Sequence, residues 1–197
     1  MYAVIGDLVG SREVPDRAAA HDALVTALTA ANDLVAAHQP LEPTVGDEFQ
    51  GAYAALSDAT HAALVVRLHL LPLVDTRAGI GLGEAETFDE ARVPRVQDGP
   101  AWWAAREALE HLGRPRNTGL RTWYVGEGAA EHNAYLTCRD ALVDRLSERG
   151  HRMLALALAG RTQREIAAAE GVSPSAVSQA FARGIAAVRD AELLRRG

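Results

Sequence analysis

Two short stretches limit what this chain can fold into. Residues 2–6, Tyr-Ala-Val-Ile-Gly, form an apolar, β-rich run that breaks at Asp7. Forty positions on, a second apolar stretch breaks at Gly46-Asp47-Glu48. An apolar run ending on Gly-Asp reads as a strand entering a turn, so both acidic steps are expected at strand ends. From Asp16 to about His38, apolar Leu24, Leu28, Ala31, Leu34 and Val35 recur at helical spacing, and Gln39-Pro40 closes that helix. Pro43 to Gly46 and Phe49 to Ala54 flank Asp47-Glu48 as the arms of a hairpin. Ser57, helped by Asp58, is placed to cap a second helix that runs to Pro72. Residues 76–86 alternate as a strand, and Gly79, Gly81 and Gly83 leave one of its faces open to another backbone or a ligand. A loop containing Pro94 and Asp98-Gly99 precedes a third helix, Pro100 to about Leu112, and residues 120–125 read as a further strand.

The opening order β-α-β-β-α-β is the ferredoxin-like unit, an antiparallel sheet covered on one face by helices. From about Tyr135 the pattern is helical. The expectation is therefore an α+β ferredoxin-like domain over residues 1–130, followed by a small all-α domain over 136–197.

Charge supports that division. Residues 1–138 carry 10 Arg against 19 acids, a balance of −9, whereas residues 139–197 carry 10 Arg against 7 acids, a balance of +3. An acidic body with a mildly basic end is the distribution of a nucleic-acid-binding appendage. All 20 basic residues are Arg, which with the abundant Ala reflects genome composition more than function. No stretch approaches 18 consecutive apolar residues, and no basic-then-apolar leader opens the chain, so neither a membrane span nor a signal peptide is expected. The single cysteine, Cys138, suits a reducing cytoplasm, and the seven scattered histidines do not indicate zinc.

The chemistry expected at the Gly-Asp steps is metal and phosphate binding. Mg²⁺ takes one or two carboxylates plus phosphate oxygens and waters. In the proposed sheet the first strand lies beside the hairpin, so Asp7 and Asp47, with Glu48 as an optional third, are expected to meet at one edge. Crowded carboxylates repel unless positive charge neutralises them. Leu8, Val9, Gly10, Ser11 and Arg12 follow Asp7 toward a helix start, the geometry that cradles phosphates, and Arg17 can supplement it. The ordinary alternative is that Gly-Asp is a common turn pair.

"VIGDLVGSR", "TVGDEFQG", "RAGIGLGE" and "DGPAWWAAREAL" occur in the order and spacing of the SatD family, and the chain resembles that family through about residue 125. That family in turn resembles class III nucleotidyl cyclases and, more distantly, GGDEF and polymerase palm domains. The resemblance implies a cyclase/palm-like domain with Asp7 and Asp47 as ligands of Mg²⁺ or Mn²⁺, a bound nucleotide and a homodimer. It also implies a catalytic, transition-state role for Arg106. The chain departs from the cyclase pattern at two places: Pro43 stands where a base-reading lysine is usual, and Trp102 where an asparagine orients the ribose. Little or no turnover is therefore expected. The ordinary alternative for Arg106 is a salt link to Glu110 on its own helix. Of the adjacent Trp102 and Trp103, one is expected on the sheet and the other exposed or at a subunit interface.

The carboxy-terminal stretch carries a second signal. Thr162 and Glu165 form a capping box, Gly171 stops that helix, and Ser173 caps the next with Pro174 at its first position. Val177, Phe181 and Ile185 make an apolar stripe. This is a helix-turn-helix plan, and it resembles sigma-factor region 4 and response-regulator output domains, with residues 139–159 completing the bundle. Ser175, Ser178, Gln179 and Arg183 are expected to face the bases, with Ser173 and Arg164 on phosphates. A helical hairpin for dimerisation is the alternative.

The reading that joins these parts is a cytoplasmic DNA-binding regulator whose cyclase-like domain binds a metal-nucleotide or related phosphate ligand and dimerises. The alternative is an active Mg²⁺-dependent nucleotidyl cyclase or nucleotidyltransferase.

Overall fold

A computed structural model describes residues 1–89 and 96–196. The chain is mixed α+β. A five-stranded sheet has β1 (Tyr2–Val9) at its centre, with β3 (Phe49–Tyr53) and β4 (Asp75–Leu82) antiparallel on either side. β2 (Gln39–Pro43) pairs with β3 at one edge, and β7 (Thr122–Val125) lies parallel to β4 at the other. Between β4 and β7, β5 (Glu86–Asp89) and β6 (Val96–Asp98) form a small separate ladder. The loop expected around Pro94 lies outside the described residues.

Alternation along β1 divides its side chains between two cores. Val4 and Leu8 pack with α1 (Arg17–Leu34) and α2 (Leu56–Leu70), whereas Ala3 and Ile5 pack with α3 (Pro100–Leu112). Helices therefore cover both faces, not the one face expected. The glycines of β4 explain how α3 comes so near: a Cβ built at Gly79 would lie 2.3 Å from the carbonyl oxygen of Ala105, and one at Gly81 only 2.2 Å from the Ala105 nitrogen. The backbone that exploits the open strand face is that of α3. Trp102 is buried there, while Trp103 is exposed.

Both sheet edges are closed by an asparagine. Asn32 on α1 donates to the Leu41 carbonyl and accepts from its N–H, at 2.9 and 2.8 Å. Asn133 on α4 (Ala129–Asp144) does the same for Tyr124, at 2.8 Å in each direction. Each side-chain amide takes the bonds that another strand would otherwise take.

The second helix starts earlier than its sequence signals. Its N-cap is Ala55, without a side-chain cap, and Ser57 lies inside the first turn. Burial drives this segment: every residue from Ala59 to Leu68 is buried, and apart from Thr60, His61 and Arg67 they are apolar, the pattern of a helix that belongs inside. One face joins the sheet core through Val65, Val66 and Leu70. Leu64 and Leu68 join a second core with Val143, Met153, Leu154, Ile166, Val177, Phe181 and Ile185.

That second core is built by α5 (Glu148–Leu158), α6 (Gln163–Glu170), α7 (Pro174–Ala180) and α8 (Ala186–Arg196). α4 begins ten residues before Arg139 and spans the expected interdomain stretch at 130–136. α7 runs into α8 through residues Phe181–Ile185, where Gly184 at φ 141° kinks the chain.

Candidate functional site

Asp7 lies on the β1 face that looks toward α3, opposite Arg77 on β4 in the strand register. The cross-strand position brings the two side chains together. Arg77 Nε donates to Asp7 Oδ1 at 2.8 Å and its Nη2 to Oδ2 at 2.7 Å. Thr76 donates its hydroxyl to the Asp7 carbonyl at 2.6 Å, fixing the strand end. The Arg77 pKa is raised first by the hydrogen bond to Asp7, with Asp47 adding to the negative field around it. Asp47 sits in the hairpin turn after Gly46, whose φ of 76° the turn requires.

Glu48 is held by α3. Arg106 Nη1 and Nη2 donate to its two carboxylate oxygens, each at 2.9 Å. The ordinary alternative for Arg106, a salt link to Glu110 on its own helix, gives way to this pair with Glu48 of the hairpin. The Arg106 pKa is raised by Glu48 foremost, against the cost of burial, with Glu110 and Asp7 adding to it. Asp7, Asp47, Glu48, Arg77 and Arg106 thus form one electrostatic group, in which two bidentate guanidinium–carboxylate pairs are the strong contacts.

The residues expected to cradle a phosphate follow Asp7 at the same end of β1. Gly10 adopts a left-handed conformation at φ 68° and opens a short 3₁₀ turn, Ser11–Glu13. Leu8, Ser11, Arg17, His21, Gly46 and Asp47 line a cavity of about 40 Å³, room for a water or a small ion. Gly10 and Arg12 are exposed at the surface, and Val9 is half-buried beside them.

A divalent cation does not fit these carboxylates as they stand. Mg²⁺ and Mn²⁺ bind through oxygen ligands, and at Asp7 and Glu48 a dication would have to approach carboxylates whose two oxygens each already accept from a positively charged guanidinium. Among the described residues no group of three or more His, Cys, Asp or Glu side chains is arranged to hold a metal ion.

The carboxy-terminal helices present a different kind of surface. Thr162 accepts from the Glu165 N–H at 3.3 Å, while the Glu165 carboxylate accepts from the Thr162 N–H at 2.8 Å. Gly171 ends α6 at φ 64°, and Ser173 caps α7 by accepting from the Ala176 N–H at 3.2 Å. Val177 turns inward. Arg164, Ser173, Ser175, Ser178, Gln179 and Arg183 are all exposed. Arg183 folds back along the helix, donating to the Gln179 carbonyl at 3.2 Å.

What the sequence did not reveal is the buried polar cluster that ties these helices to the sheet. The Glu192 carboxylate on α8 accepts from the Tyr135 hydroxyl at 2.7 Å and lies 2.8 Å from His61 Nδ1 on α2. Arg139 reaches Glu192 at 3.3 Å, Asp140 at 2.9 Å and the Thr122 hydroxyl of β7 at 2.6 Å. Arg67 on α2 likewise pairs with Asp75 of β4 at 2.7 Å and with Asp144 of α4. Their only signal was charge inside otherwise apolar helical patterns.

The chain matches the model of the SatD family over residues 1–142. No curated protein matches. Among solved structures, the chain is similar to a bacterial light-regulated adenylyl cyclase at 12% identity and a TM-score of 0.48. That similarity covers 66% of this chain and 44% of the other, so the chain spans less than half the cyclase structure's length. Among the described residues no helix is long and apolar enough to cross a membrane.

Proposed function

The chain belongs to the SatD family, and from that premise we propose that it is a DNA-binding regulator. The observation that carries this reading is the outer face of α7. It is a capped helix following a glycine-containing turn, held from beneath by Val177, with Ser175, Ser178 and Gln179, and Arg183 just past its end, all exposed to solvent. Gln and Arg are the side chains that pair bidentately with adenine and guanine edges. The exposed Arg164 and Ser173 suit phosphates on either side. The +3 balance of residues 139–197 is modest, so affinity depends on two copies binding together.

In this reading the first 142 residues form a ferredoxin-like, cyclase-related platform that supplies the dimer and the regulatory input. The exposed aromatic Trp103 supports a contact between copies. Gly10, Ser11, Arg12 and Arg17 support contact with a phosphate-bearing ligand, such as a nucleotide, at the open end of the sheet. α2, packed in both cores, transmits a change at one to the other.

Electrophoretic mobility shifts of the full chain on genomic DNA fragments test the proposal, with Gln179→Ala/Arg183→Ala as the control. Retardation that salt weakens and the double substitution abolishes supports it. No retardation at any salt, or equal retardation of the variant, removes it.

A further inference from the structure

We infer that Arg77 occupies the place of a divalent cation at the end of β1, and that this site takes no such cation while the guanidinium is there. Asp7, Asp47 and Glu48 are three carboxylates within one electrostatic neighbourhood, a group that needs positive charge to exist. The chain supplies that charge from its own side chains. Arg77 covers both oxygens of Asp7, Arg106 covers both oxygens of Glu48, and Asp47 acts on Arg77 through space. Three negative groups with two positive ones leave little for a dication to neutralise. A dication approaching Asp7 would meet the like charge of a guanidinium already bound to both carboxylate oxygens.

The Asp7–Arg77 pair differs from a loose surface ion pair. The residues are register partners on adjacent central strands, and their side chains are 18% and 26% exposed. The sheet ladder and the Thr76 hydroxyl fix the Asp7 backbone. Removing the guanidinium would uncover both oxygens of Asp7 with Asp47 in the same electrostatic field, and one or two carboxylates are what Mg²⁺ or Mn²⁺ ordinarily takes. This inference is independent of whether α7 reads DNA.

Mn²⁺ titration followed by electron paramagnetic resonance tests it on the full-length chain at neutral pH. The proteins are the unaltered chain, Asp7→Asn, Arg77→Gln and Asp7→Asn/Arg77→Gln, each checked for folding by circular dichroism. The unaltered chain is expected to show no saturable Mn²⁺ uptake. Arg77→Gln is expected to bind one Mn²⁺ more tightly by about ten- to a hundredfold, the scale of a change in a metal's immediate surroundings. The double variant is expected to lose that gain. Saturable, stoichiometric uptake by the unaltered chain that Asp7→Asn abolishes would overturn the inference, and this arm stands even if Arg77→Gln fails to fold. A folded Arg77→Gln that binds no better than the double variant would also overturn it.

Discussion

His61 Nδ1 lies 2.8 Å from the Glu192 carboxylate, and both side chains are 1% exposed. The two residues are 131 positions apart, so the contact fastens the last helix to a helix laid down early in the chain. Breaking a buried charge cluster by removing one partner leaves the others uncompensated. Glu192→Gln is therefore expected to destabilise the fold by about 3–5 kcal/mol, measured by urea unfolding. A loss within about 0.5 kcal/mol, the range of an ordinary surface change, would show that the cluster is not an anchor.

The same carboxylate sets an acid limit. Burial alone would raise the Glu192 pKa, but the hydrogen bond from His61, the charge of Arg139 and the Tyr135 hydroxyl outweigh it and bring it down to about 2. The folded value lies below that of an unfolded glutamate, about 4.3. Its stabilisation is therefore complete above about pH 5 and is lost as pH falls through about 2. The Tm of the unaltered chain should drop across that window more steeply than that of Glu192→Gln. Parallel curves would contradict the assignment.

Close approach of α3 makes Gly81 intolerant. A Cβ there would stand 2.2 Å from the Ala105 nitrogen and 2.3 Å from the Ala101 carbonyl oxygen, both backbone atoms that cannot swing aside. Gly81→Ala is expected to cost about 3 kcal/mol, at the upper end for overpacking. Gly119→Ala, with open space around its Cβ, should leave the Tm nearly unchanged. Calorimetry on the pair separates steric conflict from a general cost of losing glycine.

The Arg106–Glu48 pair predicts a contrast. Its side chains are 44% and 34% exposed, so water and salt screen it. Arg106→Ala is expected to cost no more than about 1 kcal/mol, readable by urea unfolding. A larger loss would mean that Arg106 also holds α3 on the sheet.

On DNA, single substitutions should divide by role. Gln179→Ala or Arg183→Ala should cost about 1–3 kcal/mol on a preferred site and relax its sequence preference. Arg164→Ala should weaken binding evenly across sequences and reduce the salt slope by about one. Fluorescence anisotropy at several salt concentrations distinguishes the two patterns, and identical patterns would reject the assignment of faces.

Local signals were the legible part of this sequence. The Thr162–Glu165 box, the Ser173 cap and the Gly171 stop each act within a few residues, so their chemistry is readable in order along the chain. The bounds of α3 were readable for the same reason, since Gly99-Pro100 starts it and Gly113 ends it. Partners across the fold were not readable. Arg77 meets Asp7 through strand register, and Arg106 meets Glu48 because α3 packs along β4 and β1, which brings it to the hairpin that carries Glu48. Ser57 was misplaced as a cap because the apolar demand of a doubly buried helix drew its start back to Leu56. The Asp47 step lies in a turn as expected, whereas β1 runs on past Asp7 to Val9, and nothing in the spacing of the two acids said that arginines would answer their charge.

The middle of α2 has no side left for water, and this makes the two halves of the chain poor exchange parts. A shortened version lacking its last four helices would lay Leu64 and Leu68 bare and invite aggregation. Another protein borrowing those helices would need to bring a matching pair of leucines of its own. The carboxy-terminal helices are therefore mounted on a spar common to both halves, and any motion of one half against the other would be a tilt of that spar, not the swing of a tether.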